Sequence, residues 1–155
     1  MTTTSPKQPA RLAARTAGPV WAATAVDRGD YDRERRGFNM ALDHRPALVL
    51  AAATASDVVE GIRFAAENDL PLDLQATGHG AHRAMDGGLL ITTRRLTDVR
   101  VDPGRRVARI AAGATAADVL AATADHGLSA PVGSTPGVGY VSYSLGGGLG
   151  PLGRR

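Results

Sequence analysis

Residues 45–53, RPALVLAAA, are an apolar run opened by a proline, and SDVVEGIRFAAEND after them changes to helical spacing. LPLDLQAT then returns to alternation, with Leu70, Leu72 and Leu74 two residues apart. The order reads strand, helix, strand. A short apolar run bounded by turn residues suits a buried strand. Asp57 with Glu60 three residues on resembles a capping box, and Val58, Val59, Ile62 and Ala66 share one helical face. A third strand is expected over GGLLITT, residues 87–93. This order constrains the chain more than any single motif, because it commits the middle of the sequence to a sheet with a helix against it.

The second half adds a different unit. LTDVRVDPGRRVARIAAG reads as two strands joined by the turn Asp102-Pro103-Gly104-Arg105, with Val99 and Val101 before it and Val107 and Ile110 after it. Thr115 and Asp118 form a capping box; Val119, Leu120 and Ala124 give that helix its face, and Gly127 ends it. LSAPV is expected to be another short strand, and a helix is expected to begin after Gly139. Residues 31–40 read as a short surface helix, and residues 1–30 as a disordered N-terminal tail. A hairpin combined with strand–helix–strand units gives an α+β fold with mixed parallel and antiparallel sheets flanked by helices. The chain stops at Arg155 within a glycine-rich segment that has no closing element, so the domain is expected to be truncated.

Composition removes several function classes. The apolar fraction of 43% and charged fraction of 21% belong to a globular chain. With no cysteine, disulfides, thiolate metal sites and thiol nucleophiles are excluded, and a reducing, cytoplasmic setting is expected. The sequence pI of about 9.9 invites a nucleic-acid reading. Lys7 is the sole lysine and the rest of the basic charge is arginine, which together with abundant alanine and glycine is a compositional bias. A net charge of +3 and 4% aromatics leave no stacking platform for bases, so no nucleic-acid partner is expected. No apolar stretch approaches the roughly 20 residues of a membrane span.

Two glycine loops carry the chemistry. The first is TGHGAHRAMDGG and the second PVGSTPGVGYVSYSLGGGLG. Glycines let backbone N–H groups converge on an anion, phosphate above all. Ser134 and Thr135 add hydroxyl donors, and a helix starting after Gly139 would turn its N-terminus to the anion. A Walker A loop is excluded for want of lysine. The dinucleotide fingerprint G-x-G-x-x-G is missed by both GHGAHR and GVGYVS, which place Arg83 and Ser142 at the third glycine. Surface turns without a ligand stay open as the plain reading. His79-x-x-His82 with Asp86 is a poor metal signature, and no G-x-S-x-G elbow is present. His44 and His126 are expected on the surface, His126 at a helix C-terminus. From these features alone, His79 reads most simply as a structural residue of its turn.

The order of these parts, from residue 41 to residue 155, resembles the FAD-binding domain of the vanillyl-alcohol oxidase and para-cresol methylhydroxylase superfamily. It is most similar to the berberine-bridge-enzyme-like bacterial FAD-linked oxidases. In that family the first loop usually reads R-S-G-G-H-S, and Gln75, Ala76, Thr77, Gly78, His79 and Gly80 stand at those positions. The histidine is kept, while the arginine, one glycine and both serines differ. The resemblance implies that backbone N–H groups of Ala76, Thr77, Gly78, His79, Gly80 and Ala81 hold the FAD pyrophosphate and that His79 joins the flavin covalently at its 8α carbon. It also implies that Ser134, Thr135, Gly137, Gly139 and Ser142 line the cofactor. Thr135 stands where some relatives have a cysteine that makes a second flavin bond, so a double linkage is excluded here. A neutral imidazole is a competent nucleophile, and ordinary histidine is largely neutral near pH 7. The function implied by the resemblance is that of an FAD-linked oxidoreductase passing a hydride from a small organic substrate to flavin and then to O2, with the catalytic base outside this chain. Tyr140 and Tyr143 are assigned to packing or flavin contact. The alternative is a catalytically inactive cofactor-binding fragment.

Overall fold

The computed structural model describes residues 7–151. The chain divides between Arg95 and Leu96 into two compact units. The first contains α1 (Gln8–Ala13), β1 (Val20–Ala22), α2 (Gly29–Arg35), β2 (Leu48–Ala51), α3 (Ala55–Glu67), β3 (Leu72–Gln75) and β4 (Leu89–Thr92). Its four-stranded sheet runs β1-β2-β4-β3, with β3 and β2 parallel to the central β4 and β1 antiparallel to β2. Every residue of β2 and β4 is buried. Continuous apolar runs rather than alternation are what a strand covered on both faces requires.

Register separates the two faces. A β-carbon on Gly61 would lie 2.6 Å from Ile91 Cδ1 and 2.9 Å from Leu50 Cδ2, so α3 packs on the face carrying Leu50 and Ile91 and needs glycine to come that close. The opposite face clusters Val49 and Leu90 with Tyr31 of α2 and Met85. Tyr31 Oη donates to the Pro46 carbonyl at 2.6 Å. On the same face Glu34 of α2 accepts from Thr92 Oγ1 at 2.5 Å and from Arg95 at 2.7 Å.

Several expectations are corrected here. Within residues 1–30, α1 and β1 form, Leu12 is fully buried and β1 extends the sheet, so from residue 7 onward this stretch is built into the first unit; residues 1–6 lie outside the described residues. The helix expected over 31–40 covers Gly29–Arg35, and it is no surface helix, since it buries Tyr31 and Glu34. The box that starts α3 is Thr54 with Asp57, one turn earlier than Asp57 with Glu60. Its buried face is Asp57, Gly61, Phe64 and Ala65, while Val59 and Ile62 stay 45% and 43% exposed and Ala66 is exposed. Asp57 lies inside because it accepts backbone N–H bonds from Ala17, Gly18, Ala53 and Thr54. Leu72 and Leu74, in register with Leu89 and Ile91, face the α3 side of an edge strand and remain exposed, whereas Leu70 before the strand is buried.

The second unit holds β5 (Val99–Asp102) and β6 (Val107–Ile110), an antiparallel pair closed by the turn in which Arg105 N–H bonds Asp102 Oδ1 at 3.0 Å. The hairpin therefore forms as the sequence predicts. α4 (Ala116–Ala124) begins at the Thr115–Asp118 capping box, also as predicted. Its buried positions are Ala116, Val119 and Thr123; Leu120 is half-buried and Ala124 exposed. Thr123 is accommodated because its hydroxyl donates to the Val119 carbonyl at 2.9 Å. Gly127 N–H bonds the Ala124 carbonyl and Leu128 N–H that of Thr123, ending the helix. LSAPV forms no strand. α5 (Tyr140–Leu145) starts directly after Gly139. Among the described residues no helix is long and apolar enough to cross a membrane.

Candidate functional site

The first glycine loop leaves the end of β3 and is held from two sides. The buried Gln75 side chain donates to the Arg36 carbonyl at 3.3 Å. Arg94, just past β4, donates through Nε to the Ala76 carbonyl at 3.0 Å and through its other end to the Arg36 carbonyl. Phe38 N–H donates to the Thr77 carbonyl at 2.8 Å. The segment 36–38 thus lies across residues 75–78, with backbone almost touching backbone. A β-carbon on Gly78 would sit 2.6 Å from Gly37 Cα, and Gly78 has φ +78°, so glycine is required there twice over. Gly80 differs, since a β-carbon there meets nothing within 4 Å and the serine of the resembling loops would fit.

This clamp leaves a row of donors. The N–H groups of Gly78, His79, Gly80 and Ala81 bond to no acceptor of the chain among the described residues. Consecutive free N–H groups around a left-handed residue make an anion-binding concavity. No carboxylate pairs with Arg94 among the described residues, so its charge adds to the positive potential of the loop. His79 stands in this row, half-buried, with Nδ1 2.8 Å from Thr77 Oγ1 and its ring stacked on Phe38. His82 and Asp86 are both exposed, and no group of three metal-ligating side chains occurs among the described residues. His44 is corrected from surface to core: it is buried and its Nδ1 accepts from Met85 N–H at 3.1 Å. His126 is exposed just beyond the α4 C-terminus, as expected.

The second loop belongs to the other unit. Pro136 and Val138 carbonyls accept from Ala117 and Ala116 N–H, so the loop itself satisfies the first donors of α4. Ser134, Thr135, Gly137 and Ser142 are exposed, while Gly139 is buried and bridges to Thr115. The hydroxyls of Ser134 and Thr135 bond nothing among the described residues. Tyr140 N–H donates to the Ala114 carbonyl, which uses the first donor of α5. Tyr143 lies between Gly133 and Gly148, both close against its ring, and its buried hydroxyl has no partner among the described residues.

Sequence reasoning missed Phe38, Gln75 and Arg94. Each acts on a residue far along the chain, and no local pattern marks such a contact.

Free backbone donors on a glycine turn at the end of a parallel strand are groups that a phosphate can use. Residues 46–155 match the family described as FAD binding domain, and the chain belongs to that family. It is 32% identical over 110 residues to (R)-6-hydroxynicotine oxidase of Paenarthrobacter nicotinovorans, covering 70% of this chain and 24% of that protein. It is 33% identical over 134 residues to aclacinomycin-N/aclacinomycin-A oxidase of Streptomyces galilaeus, covering 84% of this chain and 25% of that one. The structure of glucooligosaccharide oxidase from Acremonium strictum, described with a 6-S-cysteinyl, 8α-N1-histidyl FAD, superposes with TM-score 0.80 at 23% identity over 93% of this chain and 30% of that one. The fold is the α+β FAD-binding domain of the para-cresol methylhydroxylase type. The chain spans about a quarter of the length of the curated relatives it matches.

Proposed function

We propose that this chain is the FAD-binding part of an FAD-linked oxidoreductase and that His79 is its covalent flavin anchor. The observation that carries the reading is the row of four free N–H groups from Gly78 to Ala81, held open by the clamp on Gly37 and Gly78. A pyrophosphate has the charge and the acceptor oxygens to use them. His79 lies inside that row, so a pyrophosphate bound there brings the rest of the cofactor within reach of its imidazole. Within the second unit, taken by itself, Ser134, Thr135 and Tyr143 carry hydroxyls with no partner among the described residues, and Gly137, Gly139 and Ser142 belong to the same glycine-rich stretch. FAD held there would supply two-electron redox chemistry between a small organic donor and O2. The residues of this chain bind and orient it, and none of the described residues is assigned as the base acting on the donor.

The purified chain is expected to be yellow. Flavin fluorescence should survive on a denaturing gel and vanish in His79→Ala. A colourless chain that takes up no FAD would sink the reading. A second reading is cofactor binding by these residues without turnover, since no base is assigned among the described ones. Oxidation of any donor by these residues alone would exclude it.

A further inference from the structure

Arg94 and Arg95 stand side by side past the end of β4, and they end on different kinds of acceptor. Arg95 reaches the buried carboxylate of Glu34 at 2.7 Å, which neutralises its charge. Arg94 is half-buried, and its hydrogen bonds among the described residues go to carbonyls alone. Nε donates to the Ala76 carbonyl at 3.0 Å and Nη2 to the Arg36 carbonyl. Those carbonyls belong to different elements, since Arg36 closes α2 and Ala76 is the first residue after β3. One edge of a planar guanidinium therefore bridges the end of a helix and the start of the first glycine loop. Gln75, in register with Thr92, donates to the same Arg36 carbonyl at 3.3 Å but brings no charge.

We propose that Arg94 is the positioning residue of the phosphate site, a latch that holds segment 36–38 on the first glycine loop so that the N–H row from Gly78 to Ala81 stays open to a pyrophosphate; the inference rests on the flavin reading above. The hydrogen bond from Phe38 N–H to the Thr77 carbonyl, 2.8 Å long, follows directly on the two anchored carbonyls. Arg36 stands two residues before Phe38, and Ala76 one before Thr77. Tying both carbonyls to one group sets the partners of that bond before a ligand arrives, which removes the ordering cost from binding. The kind of acceptor matters as well. Carbonyls carry only partial charge, so two of them leave the guanidinium positive, whereas a carboxylate would cancel it. The remaining charge favours an anion on the neighbouring donors. A lysine supplies the same charge, but its ammonium is a point donor without the planar fork.

The test uses the whole chain, 15N-labelled, with inorganic pyrophosphate and FAD as probes. Pyrophosphate is expected to move the amide resonances of Gly78, His79, Gly80 and Ala81 in the parent. Arg94→Met is expected to bind it roughly tenfold more weakly, as loss of a charged donor predicts. The same variant should speed hydrogen exchange at the Phe38 amide and leave the Leu90 and Ile91 amides of β4 unchanged. Arg94→Lys is expected to recover part of the pyrophosphate affinity and none of the Phe38 protection. FAD uptake, measured by flavin fluorescence quenching, should follow pyrophosphate affinity across the three chains. Pyrophosphate binding by Arg94→Met equal to that of the parent, or unchanged Phe38 exchange in it, would overturn the proposal. So would full Phe38 protection in Arg94→Lys, since charge without the fork would then suffice, or a parent whose four loop amides ignore pyrophosphate. Should Arg94→Met lose protection in β4 as well, Arg94→Lys decides on the same readings. A parent that binds pyrophosphate through these amides but takes up no FAD overturns the flavin reading and leaves the latch standing.

Discussion

Both oxygens of Asp57 are in use: Oδ1 accepts from Ala17 N–H, and Oδ2 from Gly18, Ala53 and Thr54 N–H. Burial pushes this carboxyl up, and the four backbone donors outweigh burial and hold it below the ordinary carboxylate range. A carboxyl whose folded value is depressed contributes stability above its unfolded value and loses it as pH falls through the folded one. The first unit should therefore lose stability on acidification below about pH 4. Asp57→Asn should flatten that loss, seen as a smaller difference between urea midpoints at pH 7 and pH 3. Equal differences would show that Asp57 is not the group. Asp57→Ala should cost about 2–4 kcal/mol, since buried donors lose their acceptor. At the loop, Gly78→Ala puts a β-carbon against Gly37 in a left-handed backbone, at a cost of about 1–3 kcal/mol. Thermal melting should show the cost, and FAD uptake should fall with it. An unchanged melting temperature would show that the two glycines do not clamp the loop.

Elements obey the sequence at their ends more closely than on their faces. Both α3 and α4 start at a threonine–aspartate capping box, a signal that needs only four consecutive residues. Which side of α3 is buried depends on what it lands on, and an aspartate and a glycine occupy that side with Phe64 and Ala65. Phe64→Ala should therefore cost about 3–5 kcal/mol, whereas Ile62→Lys and Leu74→Thr should each change stability by less than about 0.5 kcal/mol. Urea denaturation of the three variants separates this arrangement from the one the helical periodicity predicts, in which Ile62 would be the costly site.

Across the whole molecule, protection should follow burial. Amides of β2 and β4 lie in a sheet covered on both faces, and those of β5 and β6 in a two-stranded hairpin with no fully buried residue. Hydrogen exchange should be slowest in β2 and β4 and faster throughout the hairpin. A hairpin that exchanges as slowly as β4 would contradict this. Leu72, Leu74, Val59 and Ile62 leave exposed apolar surface in the first unit. Such surface favours association, so sedimentation should show concentration-dependent oligomers that Ile62→Lys with Leu74→Thr reduces. A monomer at all concentrations would count against it.

The sequence by itself determined where the strands β2, β4, β5 and β6 lie and where α4 begins, because apolar runs, capping boxes and turns are set by neighbours a few residues apart. It also singled out His79. Only the tertiary structure decided that residues 7–30 are built into the first unit, that His44 is core, that the leucines of β3 stay exposed, and that Phe38, Gln75 and Arg94 hold the loop. Those outcomes depend on contacts between residues far apart in the chain, such as Arg36 with Arg94 or Phe38 with His79, and a local pattern carries no record of them.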